Sequence, residues 1–109
     1  MAILILTSEK EETVFELDKD IVVIGRKSDC DIILNDEQIS THHARIIKDG
    51  ERHRLEDMDS MNGTCVNSKE IKRVLLRDGD RISMADTVLV YHVNKMQQTA
   101  KRIRCENLE

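Results

Sequence analysis

Apolar residues recur along the chain in short runs rather than at helical spacing. Ten such runs are predicted to be β-strands, at residues 3–6, 14–17, 21–24, 32–34, 44–47, 54–56, 65–66, 74–76, 81–84 and 88–93. Turn-forming pairs such as Ser28-Asp29 and Asp49-Gly50 lie between them. Short strands with no amphipathic helix between them predict an all-β fold, an antiparallel sandwich or barrel.

The last part of the chain, residues 94–109, has a different pattern. Met96, Ala100 and Ile103 recur at roughly helical spacing with basic residues between them. The sequence therefore predicts a domain over residues 1–93 followed by a short C-terminal helix. A helix of this length is marginal alone, so docking on the domain is expected, with fraying or pairing with a second copy left open.

Length and charge limit the functional classes. A chain of 109 residues is expected to form one domain. The net charge of −4, with no basic block before residue 94, argues against binding to nucleic acid or a membrane surface. No apolar run reaches membrane-spanning length, and the start lacks the basic region of a secretion signal. The odd set Cys30, Cys65 and Cys105 argues against a disulfide framework. These features predict a cytoplasmic protein.

Three clusters of small polar residues lie on predicted loops between the strands. The clusters are Gly25-Arg26, Ser40-Thr41-His42-His43 and Ser60-Met61-Asn62-Gly63-Thr64. They offer a guanidinium, hydroxyls, a carboxamide and backbone N–H groups, but no nucleophile paired with a base. That set of groups suits the binding of an oxyanion such as phosphate better than catalysis. The sequence predicts a non-catalytic protein that needs no cofactor.

In this order and spacing, the clusters resemble the forkhead-associated (FHA) domain family. Further matches are Asp31-Ile32-x-Leu34, Leu55-x-Asp57, Asn67 and Leu76-x-x-Gly79-Asp80-x-Ile82. The resemblance covers residues 21–93. It implies an antiparallel β-sandwich of about eleven strands, whose loops at one end bind a phosphothreonine peptide.

The resemblance also implies individual roles. Arg26 would contact the phosphate, the Ser40 hydroxyl would donate to it, and Thr41 would add its backbone N–H or side chain. Asn62 would form hydrogen bonds with the ligand's main chain. Ser60 and Met61 flank this asparagine and complete the predicted binding set. A second, structural set is predicted to shape the loops: Gly25, His43, Gly63 and Asn67.

Several positions depart from the family's usual residues, Thr41, Met61, Gln38 and Ala85 among them. Thr41 stands where the family often has arginine, which removes one positive charge near the phosphate. Met61 stands where serine or threonine is common. Alternatives also stay open for single residues. Arg26 could pair with a nearby aspartate on the surface, Ser40 could only stabilise a turn, and Asn62-Gly63 alone is typical of a type I′ hairpin turn.

His42 and His43, with Cys30 or Cys65 as companions, suggest a metal site as an alternative. Adjacent residues on a strand point to opposite faces, so these two histidines do not readily share an ion. No paired Cys or His spacing supports one, and the sequence predicts no metal. Five aspartates are interpreted as solvated turn residues rather than a calcium site or a catalytic pair: Asp57, Asp59, Asp78, Asp80 and Asp86.

The leading hypothesis is an adaptor that binds phosphothreonine downstream of a Ser/Thr kinase. Its partners would be a phosphothreonine-containing protein and a component of the kinase pathway. The alternative is a phosphate-independent interaction or oligomerisation module. That module would use the same loops or the tail at residues 94–109, and through the tail it would form a homo-oligomer.

Overall fold

The computed structural model describes residues 2–8 and 11–93. These ranges contain eleven strands and no helix, so none that is long and apolar enough to cross a membrane. The strands are β1 Ala2–Thr7, β2 Glu12–Glu16, β3 Ile21–Gly25, β4 Ile32–Ile33, β5 Ala44–Asp49, β6 Arg52–Asp57, β7 Thr64–Val66, β8 Lys69–Ile71, β9 Arg73–Leu75, β10 Arg81–Met84 and β11 Thr87–Val93. The predicted all-β fold is confirmed. The predicted C-terminal helix at 94–109 lies outside the described residues.

The strands form two sheets. The six-stranded sheet has the order β2-β1-β11-β10-β7-β8, and the five-stranded sheet the order β4-β3-β5-β6-β9. Neighbouring strands are antiparallel except β3 and β4, which pair in parallel over two residues each. A parallel pair usually needs a long crossover connection. Here the loop 26–31 suffices because β4 is only two residues long.

The core lies between the sheets, where alternate residues of each strand point inward. Aliphatic side chains and one methionine fill most of it, and Tyr91 is its one fully buried aromatic residue among those described. The largest fully buried hydrophobic side chains are Tyr91, Leu4, Ile24, Ile39, Ile46, Leu55, Leu76, Ile82, Met84 and Leu89. Every central strand of the two sheets contributes to this core, which fixes the strand ends from which the loops emerge.

One strand, β8, is absent from the sequence prediction. It forms a hairpin with β7 through Asn67 and Ser68, whose φ angles of 52° and 73° are those of a type I′ turn. The Asn67 side chain anchors this turn to the start of β10: its Nδ2 donates to Asp80 Oδ1 at 2.9 Å, and its Oδ1 accepts the Arg81 N–H at 3.1 Å. β8 was missed because two of its three residues are charged, as is common on an edge strand.

The register of three strands decides where the polar loops meet. Ile24 pairs with Ala44, and Ala44 pairs with Asp57. The end of β3, the start of β5 and the end of β6 therefore lie side by side. The loops that follow or precede these positions, which carry all three polar clusters, are gathered at one end of the sandwich.

Candidate functional site

The loop before β5 is docked on the end of β3 by backbone hydrogen bonds. The Arg26 N–H donates to Ser40 O and the Lys27 N–H to Thr41 O, each at 3.2 Å. The His43 N–H donates to Ile24 O at 2.9 Å. These bonds continue the pairing of β3 and β5 beyond the sheet. They fix Ser40 and Thr41 beside Arg26.

Gly25 makes this close docking feasible. A Cβ at this position would lie 2.2 Å from Thr41 O and 2.9 Å from Cys30 Sγ. Real side chains do not approach a backbone oxygen so closely, and only glycine leaves the space. Gly25 therefore sets the distance between the end of β3 and the segment that carries the candidate phosphate-binding residues.

His43 connects two of the loops from inside the fold. It is fully buried. Its Nδ1 accepts the Ser40 N–H at 3.1 Å, which assigns the ring proton to Nε2, and Nε2 donates to Gly63 O at 2.8 Å. Both ring nitrogens are thus bonded, and the imidazole holds the loop at 40–43 against the loop at 58–63.

Asp57, at the end of β6, organises the second of these loops. Its carboxylate accepts the Ser60 N–H at 3.0 Å, the Ser60 hydroxyl at 2.6 Å and the Thr64 hydroxyl at 2.7 Å. Burial raises the pKa of Asp57, but the bonds from Ser60 and Thr64 outweigh it and the pKa is lowered overall. Asp57 bonds the backbone of its own turn, as predicted, but it is partly buried rather than fully solvated. Ser60 and Thr64, three and seven residues after Asp57, were the signal in the sequence that this aspartate bonds within the loop.

The loop between β6 and β7 is not a hairpin. β6 and β7 belong to different sheets, and Asn62 does not have the positive φ that a type I′ turn requires. The type I′ interpretation of Asn62-Gly63 was therefore wrong. Gly63, at φ 85°, donates its N–H to the Ser60 hydroxyl at 2.9 Å. Because the Ser60 hydroxyl also donates to Asp57, both of its bonds lie within the loop. Ser60 would therefore support ligand binding indirectly, by fixing the conformation of that loop.

Arg26 is exposed at the edge of these loops. Its Nε donates to Ile39 O at 3.0 Å, which leaves the four N–H donors of its two Nη atoms for an oxyanion. The nearby carboxylates have other partners, since Asp29 pairs with His42 and Asp31 with Lys19. Among the described residues Arg26 forms no ion pair, which removes the interpretation of Arg26 as one half of a surface ion pair.

Ser40 lies on the segment whose backbone is bonded to that of Arg26. Its Oγ accepts the Met61 N–H at 3.0 Å, so its hydroxyl proton is directed toward another acceptor. Thr41, the next residue, is exposed. Arg26, Ser40 and Thr41 therefore place a positive charge, a hydroxyl donor and an accessible threonine at one small patch of surface.

Asn62 and Met61 form the outer rim of the same patch. Asn62 Nδ2 donates to Gln38 O at 2.8 Å and lies 3.3 Å from Gln38 Oε1, so its amide group ties the two loops together. Its Oδ1 is the atom that would accept from a ligand N–H. The Met61 side chain is 88% exposed. Contact of these two residues with a ligand stays a prediction.

A separate group of side chains could hold a metal ion beside Thr41. Asp29, Cys30 and His42 bring one ligand atom each within 4.8 Å of one another. His43, the other histidine weighed from the sequence, is bonded inside the fold and does not join them. Burial raises the pKa of the Cys30 thiol, whose Sγ–H donates to Thr41 O at 3.2 Å.

Comparison with known proteins identifies related chains. A family model described as FHA domain matches residues 22–85. An oxoglutarate dehydrogenase inhibitor of Corynebacterium jeikeium is 35% identical over 77 residues, covering 71% of this chain and 54% of that protein. The glycogen accumulation regulator GarA of Mycolicibacterium smegmatis is 34% identical over 77 residues, covering 71% and 49%. The chain thus spans about half the length of these curated relatives.

The fold also matches solved structures. One, from a structural and functional analysis of phosphothreonine-dependent FHA domain interactions, superposes with a TM-score of 0.80 and 29% sequence identity. The match covers 85% of this chain and 96% of that one. The structural similarity therefore extends over most of the chain.

Proposed function

The chain belongs to the FHA domain family, and from this membership we propose that its polar loops bind phosphothreonine peptides. The protein acts in this proposal as a non-catalytic adaptor in Ser/Thr kinase signalling, with a phosphorylated protein of that pathway as its partner. The observation that carries it is the backbone pairing that places exposed Arg26 and Thr41 beside partly exposed Ser40 at one end of the sandwich. The related structure from work on phosphothreonine-dependent interactions supports it.

The chemistry of the patch matches a phosphate monoester. Phosphothreonine brings a charge of roughly −1.5 to −2 and three acceptor oxygens at neutral pH. The Nη donors of Arg26 can bind two of these oxygens in parallel, and the Ser40 hydroxyl and the Thr41 N–H or hydroxyl can donate to the remainder. Each hydrogen bond to a charged group contributes about 1.5–3 kcal/mol.

The loops need little rearrangement to bind. His43 joins the two loops from within, and the Asp57 carboxylate holds Ser60 in place. Loops fixed in this way lose little conformational entropy when the ligand arrives, so more of the interaction energy appears as affinity. In the proposal, Asn62 Oδ1 accepts an N–H of the peptide main chain and sets its register, while Met61 borders the peptide.

The proposed location is the cytoplasm. The described cysteines, Cys30 and Cys65, are free thiols. Free thiols are typical of a reducing compartment, which is also where protein kinase substrates are available. The proposal requires neither nucleic acid nor a membrane surface as a partner, which agrees with the net charge of −4.

The test is a fluorescence-anisotropy titration with a degenerate phosphothreonine peptide library. Unphosphorylated and phosphoserine libraries run alongside, on the wild type, on Arg26→Ala and on Arg52→Ala. Arg52 is an exposed arginine at the other end of β6 and serves as the matched control. Loss of two charge-assisted hydrogen bonds in Arg26→Ala should weaken phosphothreonine binding roughly 100-fold or more.

The Arg52→Ala variant should bind like the wild type. Binding that does not depend on the phosphate, or that survives Arg26→Ala unchanged, would contradict the proposal. It would instead favour the alternative, a phosphate-independent interaction or oligomerisation module that uses the same loops or residues 94–109.

A further inference from the structure

An aspartate, a cysteine and a histidine that phosphate binding does not use lie together next to Thr41. Their ligand atoms, a carboxylate oxygen of Asp29, Sγ of Cys30 and a ring nitrogen of His42, are within 4.8 Å of one another. We propose that these three side chains form a binding site for one zinc ion. The site is distinct from the donors of Arg26 and Ser40 but borders the same patch.

The backbone already brings the three residues together. Asp29 and Cys30 lie on the loop 26–31, where the Cys30 N–H donates to Lys27 O at 3.1 Å. The Lys27 N–H in turn donates to Thr41 O, one residue before His42. Across this junction His42 Nε2 lies 3.0 Å from Asp29 Oδ1. The sandwich therefore holds the ligand-bearing loops in place without help from a metal.

The separations suit a tetrahedral ion after small side-chain movements. Zinc bound to nitrogen, oxygen and sulfur at about 2.0–2.3 Å places neighbouring ligand atoms roughly 3.3–3.8 Å apart. The three ligand atoms lie within 4.8 Å of one another, so the largest separation allowed is about 1 Å longer than in a zinc site. Asp29 is exposed and His42 is partly exposed, so both can rotate toward Cys30.

The kinds of ligand favour zinc over the other common ions. Zinc binds imidazole, thiolate and carboxylate with four-fold coordination, and three protein ligands leave one position for water. Calcium and magnesium prefer six or more oxygen ligands, which this group does not supply. On binding, the Cys30 thiol releases its proton to solvent, and a zinc–sulfur bond replaces the hydrogen bond from Sγ–H to Thr41 O.

The position of the site gives it a consequence for the phosphate. Cys30 Sγ lies 3.2 Å from Thr41 O, so the bound ion would sit beside the residue that stands where the family often has arginine. A divalent cation there supplies positive charge next to the phosphate patch. Zinc should therefore strengthen phosphopeptide binding. This consequence, unlike the zinc site itself, rests on the proposed function.

The test is isothermal titration of zinc chloride into the full chain without an affinity tag and without peptide. One zinc per chain is expected. Asp29→Asn and His42→Gln, which change exposed or partly exposed side chains, should weaken binding by more than the roughly 10–100-fold typical of losing an outer-sphere partner. With cobalt(II) as a spectroscopic substitute, the thiolate-to-metal absorption should vanish in Cys30→Ser.

Matched cysteine variants complete the design. Cys65→Ser and Cys105→Ser should keep both the stoichiometry and the thiolate absorption. No stoichiometric zinc binding by the wild type would overturn the proposal. Zinc affinity unchanged in both Asp29→Asn and His42→Gln, or a thiolate signal lost with Cys105→Ser, would overturn it as well.

A parallel phosphopeptide titration with and without zinc separates the two claims. Tighter phosphopeptide binding in zinc supports the coupling, and an affinity independent of bound zinc would overturn it. Zinc binding without any phosphopeptide binding would contradict the proposed function and leave the metal site supported.

Discussion

The two buried histidines of the sandwich lie at opposite ends and are bonded differently. In the pairing of β5 with β6, His43 precedes the end where Ala44 meets Asp57, and His53 pairs with Lys48 near the other end. Both ring nitrogens of His43 have backbone partners. The His53 Nδ1 lies 2.9 Å from the Tyr91 hydroxyl, whereas its buried Nε2 has no hydrogen-bond partner among the described residues.

The surroundings of His53 explain why it differs. Burial lowers the pKa of its imidazole, with Lys48 adding to the effect, so its surroundings favour the neutral ring. It packs edge-to-face against Tyr91 and lines a pocket of about 430 Å³. His53 fills the core, whereas His43 connects loops. In this comparison the buried histidine with both ring nitrogens paired is the one that holds the loops of the proposed binding surface.

The largest expected effect comes from replacing each histidine by leucine. His43→Leu leaves the Ser40 N–H and the Gly63 carbonyl, both partly buried, without partners at up to about 1–3 kcal/mol each, so the free energy of unfolding should fall by about 2–6 kcal/mol. His53→Leu leaves one hydroxyl unpaired, that of Tyr91, and should cost at most about 1–3 kcal/mol. Urea unfolding measures both. An equal or larger loss in His53→Leu would break the comparison.

A pair of glycine substitutions tests the same contrast between the two ends, with a smaller expected loss in the free energy of unfolding. In Gly25→Ala the new Cβ meets Thr41 O at 2.2 Å, so destabilisation of about 3 kcal/mol or more and loss of phosphopeptide affinity are expected. Gly50 lies at the end that carries His53, at φ 64° with no atom within 4 Å of a Cβ. Gly50→Ala should cost only the backbone strain, about 1–2 kcal/mol, and keep the affinity.

Thermal and urea unfolding of the two alanine variants, with peptide titrations, decide this point. Comparable losses of affinity in Gly25→Ala and Gly50→Ala would show that the docking of loop 40–43 does not control the binding patch. A Gly25→Ala protein as stable as the wild type would contradict the close approach itself.

The last stability prediction concerns Asp57 and depends on pH. Its pKa is lowered in the folded state, so its contribution is present above the ordinary aspartate pKa near 3.9 and is lost as the pH falls through the folded-state value. Asp57→Asn should cost about 1–3 kcal/mol at pH 7, because its NH₂ cannot accept from Ser60. The difference between wild type and variant should shrink below about pH 4, as measured by urea unfolding. A difference that is independent of pH would contradict this role.

Much of the fold could be predicted because short apolar runs bounded by turn-forming residues mark strands that are buried on at least one face. Ten of the eleven strands were anticipated within a few residues of their ends. β8 was missed because its pairing comes from the type I′ turn at Asn67 and Ser68 rather than from apolar residues. The parallel pairing of β4 was also missed, since two residues carry no signal of direction.

The sequence predicted which residues form the candidate site, but not the hydrogen bonds that hold them in place. Spacing and resemblance brought together Arg26, Ser40 and Asn62. They did not show that His43 would accept from Ser40, or that Asp57 would hold the loop at Ser60, because these bonds link segments whose distance depends on the register of three strands. The grouping of Cys30 with its neighbours in the metal candidate depends on the same register.

The most direct test of the account is a titration of the ¹⁵N-labelled protein with a phosphothreonine peptide, followed by amide NMR. The account predicts chemical-shift changes at the amides of Arg26, Ser40, Thr41 and Asn62, and none of comparable size at His53. Chemical-shift changes concentrated around His53 at the opposite end, or shifts of the same size with the unphosphorylated peptide, would contradict the account. They would show that the loops joined by His43 are not a phosphate-binding surface.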